Sequence, residues 1–422
     1  VVVSQEAYSY ALPLFTLITD IVLSGQTHTL TEIPKDIFLL DGNKVPPEDL
    51  ALLHAVARII INGNGATLAE QMSQPQPAGT PQPRLPLPAA PVDPPIPLKP
   101  YILSDPNGLG GFSPDGNEYI IRLESGQHTP APWVNVIANP SFGFIVSEAG
   151  SGYAWAENSH ENKLTPWSND AVQDSSGEAI YLQDTNTDAL WTPTPMPIRE
   201  SEPYAVRHGF GYTVFEHNSH GLTQELTQFV PMDAPVKLSL LRLHNQTDRP
   251  RHLAITYYIQ PVMGVSAQET AMHIATGVEA SGAVLLTNRY NENRAGKVML
   301  VYETLANCSF TGDRKSFFGS GDMAAPDGLR YPTLSGEVGA ALDPCAAIRG
   351  SMTLAPGESR EVVFLLGVAE GIASAEGIIA RYGTPESARD ALAETVRLWK
   401  RKISVVQIET PSETMNHMMN GW

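Results

Sequence analysis

Residues 212–230 read Tyr212-Thr-Val-Phe-Glu-His-Asn-Ser-His-Gly-Leu-Thr-Gln-Glu-Leu-Thr-Gln-Phe-Val230. This stretch holds two runs rich in aromatic, leucine and β-branched residues, 212–216 and 222–230, with Asn218 and Gly221 as turn residues between them. Runs of this kind with turn residues at their ends are typical of β-strands. Because no helical pattern lies between the two runs, the stretch predicts antiparallel pairing.

Similar strand-like runs, in which the pattern repeats every two residues, recur on both sides of this stretch. Gly, Pro, Asn and Asp turns again separate the runs, as at 245–250 and 354–358. So many strands without intervening helices predict a large antiparallel β-sandwich over residues 101–370, and hence a mainly β protein. The further runs are 119–123, 236–243, 253–259, 298–302 and 362–366.

The segments outside the sandwich have different patterns. Residues 1–72 predict a small α/β segment without a glycine-rich phosphate loop, which argues against a nucleotide site there. Prolines recur through residues 73–100, so this stretch predicts an extended linker at a domain boundary. Residues 371–422 predict linker helices, and the helical run over residues 387–401 ends in basic residues that suit the helix dipole. Within the first segment, the expected elements are strands 1–3 and 37–40, a helix over residues 8–24, and a second helix that starts at the prolines and acids of residues 46–49 and continues over residues 50–61.

The composition excludes several classes of partner. A chain of 422 residues should hold two or three domains. Its formal net charge is −18 with no block of Lys or Arg, which argues against nucleic acid and anionic lipid and leaves neutral ligands as natural partners. The two cysteines, Cys308 and Cys345, exclude a disulfide framework, so a reducing cytoplasmic location is expected.

No membrane or export segment is expected from the sequence. The most apolar stretch, residues 11–23, contains Pro13 and Asp20 and is too short to span a bilayer. The chain begins Val-Val-Val without a methionine or a basic region, so no signal peptide is expected. Both ends look like cuts through a longer pattern.

One loop segment has the composition of a sugar site. Residues 151–170 contain two tryptophans, three asparagines and several acids. Indole rings can lie against the flat C–H faces of pyranoses, while amides and carboxylates bond sugar hydroxyls in pairs. The alternative is a polar loop with two structural tryptophans, and the composition leaves both readings open. Trp133, Trp191 and Trp399 lie in strand or helix patterns and are expected in the core.

An ordered set of motifs resembles a known family. The set resembles the N-terminal sandwich of glycoside hydrolase family 94, formerly glycosyltransferase family 36, and is most similar to that of bacterial cyclic β-1,2-glucan synthases. Any one motif is weak, but their order from about residue 101 onward is specific. The motifs are Asn107-Gly-Leu-Gly-Gly-Phe112, Asn139-Pro-Ser-Phe-Gly-Phe144, Tyr153-Ala-Trp155, Asn158-Ser159, Leu164-Thr-Pro-Trp-Ser-Asn-Asp170, His208-Gly-Phe-Gly-Tyr212, Phe215-Glu-His217 and Phe229-Val-Pro231.

The resemblance implies an architecture and a reaction. It implies a galactose-mutarotase-like supersandwich, then linker helices, then an (α/α) six-fold barrel that carries the catalytic acid. The implied reaction is inverting phosphorolysis of a β-glucosidic bond, or its reverse, with inorganic phosphate as co-substrate and neither cofactor nor metal. Because residue 422 falls at about the first barrel helix, no catalytic residue is expected in this chain, which alone should be inactive.

The resemblance also implies partners and a location. The expected ligand is a β-glucan or gluco-oligosaccharide. The expected partner is the helical barrel, either in cis or from the neighbouring subunit of a homodimer, because loops of the sandwich reach over the barrel mouth in this family. The expected location is the cytoplasm, on the cytoplasmic side of the inner membrane if the chain is part of a larger synthase.

The family pattern places the substrate-binding residues on the loop segment of residues 151–170. One departure is His160, where the family usually has Arg, and an imidazole does not supply a permanently charged guanidinium fork. Contact of this residue with phosphate or sugar is therefore an open question. The pattern itself is carried over only to the residues that match it, which are Asn158, Ser159, Asn162, Thr165, Trp167, Asn169 and Asp170. The predicted substrate-binding set adds His160, the departure, and Trp155, which the aromatic composition of the loop favours as an exposed ring.

Three features resemble a catalytic acid, a metal site and a dinucleotide site, but the sequence favours a simpler role for each. Asp170 is expected to bond a ligand or a turn rather than to act as the general acid. His217 and His220 have metal-like spacing but no third ligand nearby, so a structural role is expected. The glycines of residues 107–112 precede a strand and predict a tight turn rather than a dinucleotide site.

The rival function from another class is a stand-alone carbohydrate-binding or structural β-sandwich.

Overall fold

The computed structural model describes residues 2–4, 39–41, 45–57, 61, 67, 93, 95–168, 170, 172, 174–290 and 296–422. The chain divides into two compact units, residues 1–83 and 84–422.

In the first unit, strands β1 (Val2–Ser4) and β2 (Leu39–Asp41) pair in parallel. Helix α1 (Pro47–Val56) begins at its proline with two acids in the first turn, as the sequence predicts. It ends five residues before the predicted end at residue 61. The predicted helix over residues 8–24 lies outside the described residues.

The second unit is built mainly from strands. In chain order these are β3 (Gly110–Phe112), β4 (Glu118–Leu123), β5 (Val134–Ala138), β6 (Phe142–Ser147), β7 (Gly152–Ala156), β8 (Glu178–Asp184), β9 (Leu190–Trp191), β10 (Tyr204–Gly209), β11 (Tyr212–Ser219), β12 (Leu222–Phe229), β13 (Val236–Asn245), β14 (Arg251–Ile259), β15 (Ile274–Val278), β16 (Val284–Asn288), β17 (Val298–Glu303), β18 (Ala306–Asp313), β19 (Pro344–Leu354) and β20 (Ser359–Ala369). Its helices are α2 (Ala267–Thr270), α3 (Arg314–Phe318), α4 (Ile372–Tyr382), α5 (Pro385–Ile403) and α6 (Glu413–Asn420), with 3₁₀ turns at Ala271–His273 and Asp327–Arg330.

The described strands of the second unit form three antiparallel sheets. The largest has the strand order β15-β16-β17-β20-β13-β12-β11-β10-β4-β3, and a five-stranded sheet has the order β18-β19-β14-β8-β9. Strands β5, β6 and β7 form the third sheet. Residues 212–229 form the β11–β12 hairpin, with Tyr212 opposite Phe229 and Ser219 opposite Leu222. The predicted large antiparallel β-sandwich is confirmed.

The main core lies between the two larger sheets. Leu226 and Leu241 of the ten-stranded sheet and Ile255 and Ile348 of the five-stranded sheet belong to one buried cluster. Their side chains meet because alternate residues of each strand face the same side. Trp191 is fully buried in this cluster, as expected, whereas Trp133 and Trp399 are half-buried.

The linker helices cover part of the outer face of the ten-stranded sheet. Tyr382 of α4 and Ala388 of α5 pack on Leu240 and Val363. Helix α5 begins with a capping box in which Thr384 accepts the backbone N–H at N3, and it ends in the basic residues that the sequence predicts for its last turn. The second unit therefore continues into helices without a break in packing.

The end of the proline-rich stretch packs on the sandwich, which its composition does not indicate. Leu98 is buried, and the Asp93 carboxylate lies 2.8 Å from Arg249 and 3.0 Å from Arg251. The partners are more than 150 residues away in sequence, so a local proline pattern cannot reveal them.

Candidate functional site

The candidate loop, residues 157–168, follows β7 and folds back onto it. The side-chain amide of Asn162 donates to the carbonyl of Ala156 at 2.9 Å, and the Thr165 hydroxyl accepts the N–H of Ala154 at 2.8 Å. Asn162 is 5% exposed and Thr165 is 1% exposed. These two predicted site residues therefore hold the loop backbone in place, and a direct contact with a sugar stays a prediction for them.

Three aromatic rings meet at the base of this loop. The Tyr153 ring centroid lies 5.2 Å from that of Trp155 and 4.8 Å from that of Trp167. Trp167 is 43% exposed, whereas Trp155 is half-buried against Gly143, where a Cβ atom would come within 2.4 Å of the indole. The two predicted tryptophans thus belong to one cluster, and Trp167 is its solvent-facing member.

Tyr153 was missed as a site residue by the sequence reasoning. It stands two residues before Trp155 on β7, so both side chains point to the same side of the strand. The period-two rule applied to residues 153 and 155 is the signal that could have found it.

The predicted polar residues of the loop lie on its outer rim. Asn158, Ser159 and His160 are exposed. The Asn158 side-chain oxygen accepts the N–H groups of His160 and Glu161, both at 2.9 Å, which fixes a tight turn. The Ser159 hydroxyl bonds the Tyr153 phenol, and the His160 Nδ1 lies 2.7 Å from the Glu161 carboxylate. The rim therefore offers amide, hydroxyl, imidazole and carboxylate groups beside the aromatic cluster.

The far end of the segment forms a turn. The Asp170 Oδ1 accepts the N–H of Val172 at 2.9 Å, and the Asp170 carbonyl accepts the N–H of Asp174. The Asp174 carboxylate accepts the Ser147 hydroxyl at 2.6 Å, and burial raises the pKa of Asp174. Asp170 thus takes part in a turn, one of the two roles expected for it. Asn169 lies outside the described residues.

The cavity beneath the loop is too small for a sugar ring. It has a volume of about 20 Å³ and is lined in part by Asn162, Met263 and Lys297. That is about the space of a single water molecule. Lys297 lies 2.6 Å from Glu157, and this hydrogen bond raises its pKa. This cavity therefore cannot hold a sugar ring, and a sugar would contact the exposed face of Trp167 and the polar rim of the loop instead, which we call the platform.

The two histidines with metal-like spacing share a carboxylate. The Nε2 atoms of His217 and His220 lie 2.8 and 2.6 Å from the two oxygens of Glu200. Tyr204 stacks on His217 with centroids 3.9 Å apart, and Trp191 stacks on His220 at 4.1 Å. Burial alone would raise the pKa of Glu200, but hydrogen bonds from both rings lower it to about 2. Glu200 thus gives both rings the structural role that the sequence favours.

Comparison with known proteins identifies relatives over most or all of the chain. A cyclic β-(1,2)-glucan synthase from Rhizobium meliloti is 30% identical over all of this chain, which spans 15% of that protein. An N,N'-diacetylchitobiose phosphorylase from Vibrio furnissii is 26% identical over 74% of this chain, and the match covers 40% of the phosphorylase. The chain thus spans well under half the length of these two relatives.

A solved structure and a family model complete the comparison. A galactose-mutarotase-like protein from Clostridium acetobutylicum is 9% identical with a TM-score of 0.30, and the match covers 57% of this chain and 99% of that one. Among the described residues, no helix has the length and apolarity to cross a membrane. The supersandwich domain of glycosyl hydrolase 94 matches residues 117–385, more than half of the chain. The chain therefore belongs to glycoside hydrolase family 94, whose supersandwich domain it carries.

Proposed function

We propose that this chain is the sandwich module of a longer cyclic β-1,2-glucan synthase or glycoside phosphorylase. In this proposal, loop 157–168 supplies sugar contacts to a site that a downstream helical barrel completes. The observation that carries it is the exposed Trp167 beside Tyr153 and Trp155, at a loop whose underlying cavity of about 20 Å³ is too small for a sugar ring. The names of the relatives, a glucan synthase and a phosphorylase, support this class of substrate.

The residues on the platform suit binding rather than bond cleavage. Phosphorolysis needs a protonated acid at the glycosidic oxygen, an inorganic phosphate positioned for attack and a site that excludes water. The loop offers an aromatic face and polar rim groups, and its Asp170 carboxylate accepts a backbone N–H in a turn. In the proposal these groups orient the glucan, while the acid and the phosphate site belong to the barrel, in cis or in a neighbouring subunit of a homodimer, in the cytoplasm.

The test is Trp167→Ala in a polypeptide that continues through the barrel. Loss of stacking and desolvation should weaken binding of a β-1,2-gluco-oligosaccharide by about 1–3 kcal/mol, read as Kd by calorimetry. Tyr331→Ala is the matched control, since Tyr331 is also 43% exposed and belongs to a distant segment. Equal Kd values for Trp167→Ala and the unmodified protein would make the loop structural.

The same measurement addresses the rival function. A stand-alone carbohydrate-binding sandwich would bind the oligosaccharide equally well with and without the barrel. The proposal expects the loop site of residues 1–422 alone to bind weakly, because a single open platform desolvates only one face of a sugar. It also expects no release or consumption of inorganic phosphate by this chain alone. Turnover by residues 1–422 that mutation of Asp170 abolishes would place the catalytic acid here.

A further inference from the structure

A polar groove lies on the outer face of the ten-stranded sheet, away from the face that packs in the core. Its volume is about 480 Å³, within the usual range for small-ligand sites of roughly 300–1,000 Å³. Strands β11, β12, β13 and β20 form its floor, and residues 96–99 form one wall. None of its lining residues belongs to loop 157–168.

The strand register arranges the groove floor into two rows of polar side chains. In one row Asn218 lies opposite Thr223, Thr223 opposite His244, and His244 opposite Ser359. Because neighbouring strands are about 4.8 Å apart, such a row crosses the four strands over roughly 14 Å. The second row, Glu216, Glu225, Arg242 and Glu361, runs beside the first.

The wall of the groove is held in place by specific contacts. We call residues 95–101 the strap. The Asn218 amide donates to the Pro97 carbonyl at 3.1 Å, and Lys99 lies 3.0 Å from Glu216. The Tyr101 hydroxyl donates to Glu216 at 2.6 Å. The strap therefore makes a preformed wall, which lowers the entropy cost of ordering a ligand site.

Several polar groups of the floor have unused hydrogen-bonding capacity. The His244 Nδ1 contacts the Ser359 hydroxyl at 2.9 Å. Its Nε2 has no hydrogen-bond partner among the described residues, so it can bond a ligand. The side chains of Arg242 and Thr223 make no hydrogen bond or ion pair to any described residue. These groups stand side by side in the groove, so a ligand there would meet donors and acceptors at once.

We propose that this groove is a second saccharide-binding site, separate from the loop of the proposed function. The lining mixes acids and bases, with Glu216 and Glu225 facing Lys99 and Arg242, so it favours a neutral ligand over an anion. Guanidinium groups only donate, carboxylates only accept and hydroxyls do both, which suits adjacent sugar hydroxyls. The apolar side chains of the strap can cover the C–H faces of the rings.

The experiment uses residues 1–422 and two probes, a linear β-1,2-glucotetraose and cellotetraose, with Kd measured by NMR titration. At least one probe should bind, and Arg242→Ala should weaken that binding about tenfold. Thr223→Val should weaken it by a smaller factor without changing the charge. Arg397→Ala is the matched control, since this exposed arginine lies on α5 outside the groove.

The outcomes separate this site from the loop site. Trp167→Ala should leave binding to the groove unchanged, even if that variant loses affinity in a polypeptide with the barrel. Binding that Trp167→Ala abolishes and Arg242→Ala spares would overturn the proposal, as would the absence of binding of both probes at millimolar concentration. If Arg242→Ala instead weakens association with a separately added barrel and does not change sugar binding, the groove is a domain interface and the proposal fails.

Discussion

Replacing Glu200 with Gln should destabilise the second unit in a pH-dependent way. The Glu200 carboxylate bonds the fully buried His217 ring and the partly exposed His220 ring, and these contacts lower its pKa from the ordinary 4.5 to about 2. A shift of this size corresponds to about 3 kcal/mol of stability when the carboxylate is ionised. A neutral amide cannot reproduce this charge-dependent contribution.

The sign of the pH dependence follows from the lowered pKa. The stabilisation is fully present above the unfolded value of 4.5 and is lost as the pH falls towards 2. The difference in unfolding free energy between the native protein and Glu200→Gln should therefore fall from about 3 kcal/mol at pH 7 to roughly 1 kcal/mol at pH 3. The groups that face this carboxylate are His217, His220 and Ser219.

Urea denaturation followed by tryptophan fluorescence measures this difference, because Trp191 stacks on His220 and reports on the network. Glu202→Gln is the matched control, since Glu202 is two residues away and its carboxylate accepts a bond from Ser201 rather than from a histidine. The reasoning is refuted if the Glu200→Gln difference is the same at pH 7 and pH 3, or if Glu202→Gln shows the same change.

Three further predictions concern the linker and the loop. Limited trypsin digestion should cut first after Arg84, between the two compact units. The stable fragment should keep Asp93, which pairs with Arg251 of the sandwich. An earlier cut within residues 110–370 would contradict this division. Gly143→Ala should displace the Trp155 ring, destabilise the fold by about 1–3 kcal/mol in urea and weaken sugar binding, because the new Cβ would lie 2.4 Å from the indole. His160→Arg, on the exposed rim, should change the affinity of a barrel-containing protein for phosphate or sugar with little change in stability; identical Kd values would exclude a ligand contact.

Part of the loop's organisation could be predicted from sequence and part could not. The composition of residues 151–170 pointed to Trp155 and Trp167, and both join one aromatic cluster. Composition could not separate the exposed Asn158 from the buried Asn162, because both are asparagines in the same loop. Which amide faces solvent depends on how the loop folds back on β7.

The local pattern determined the elements, and long-range packing determined the sites. Period two and turn residues were enough to predict antiparallel strands such as β11 and β12, because alternation and turn chemistry act between neighbouring residues. The groove brings Asn218, Thr223, His244 and Ser359 into one row only through the register of four strands. The strap and the Glu200 network likewise depend on side chains that meet across the fold. Tertiary structure decides these contacts because their energies arise only when packing brings distant residues together and removes them from water.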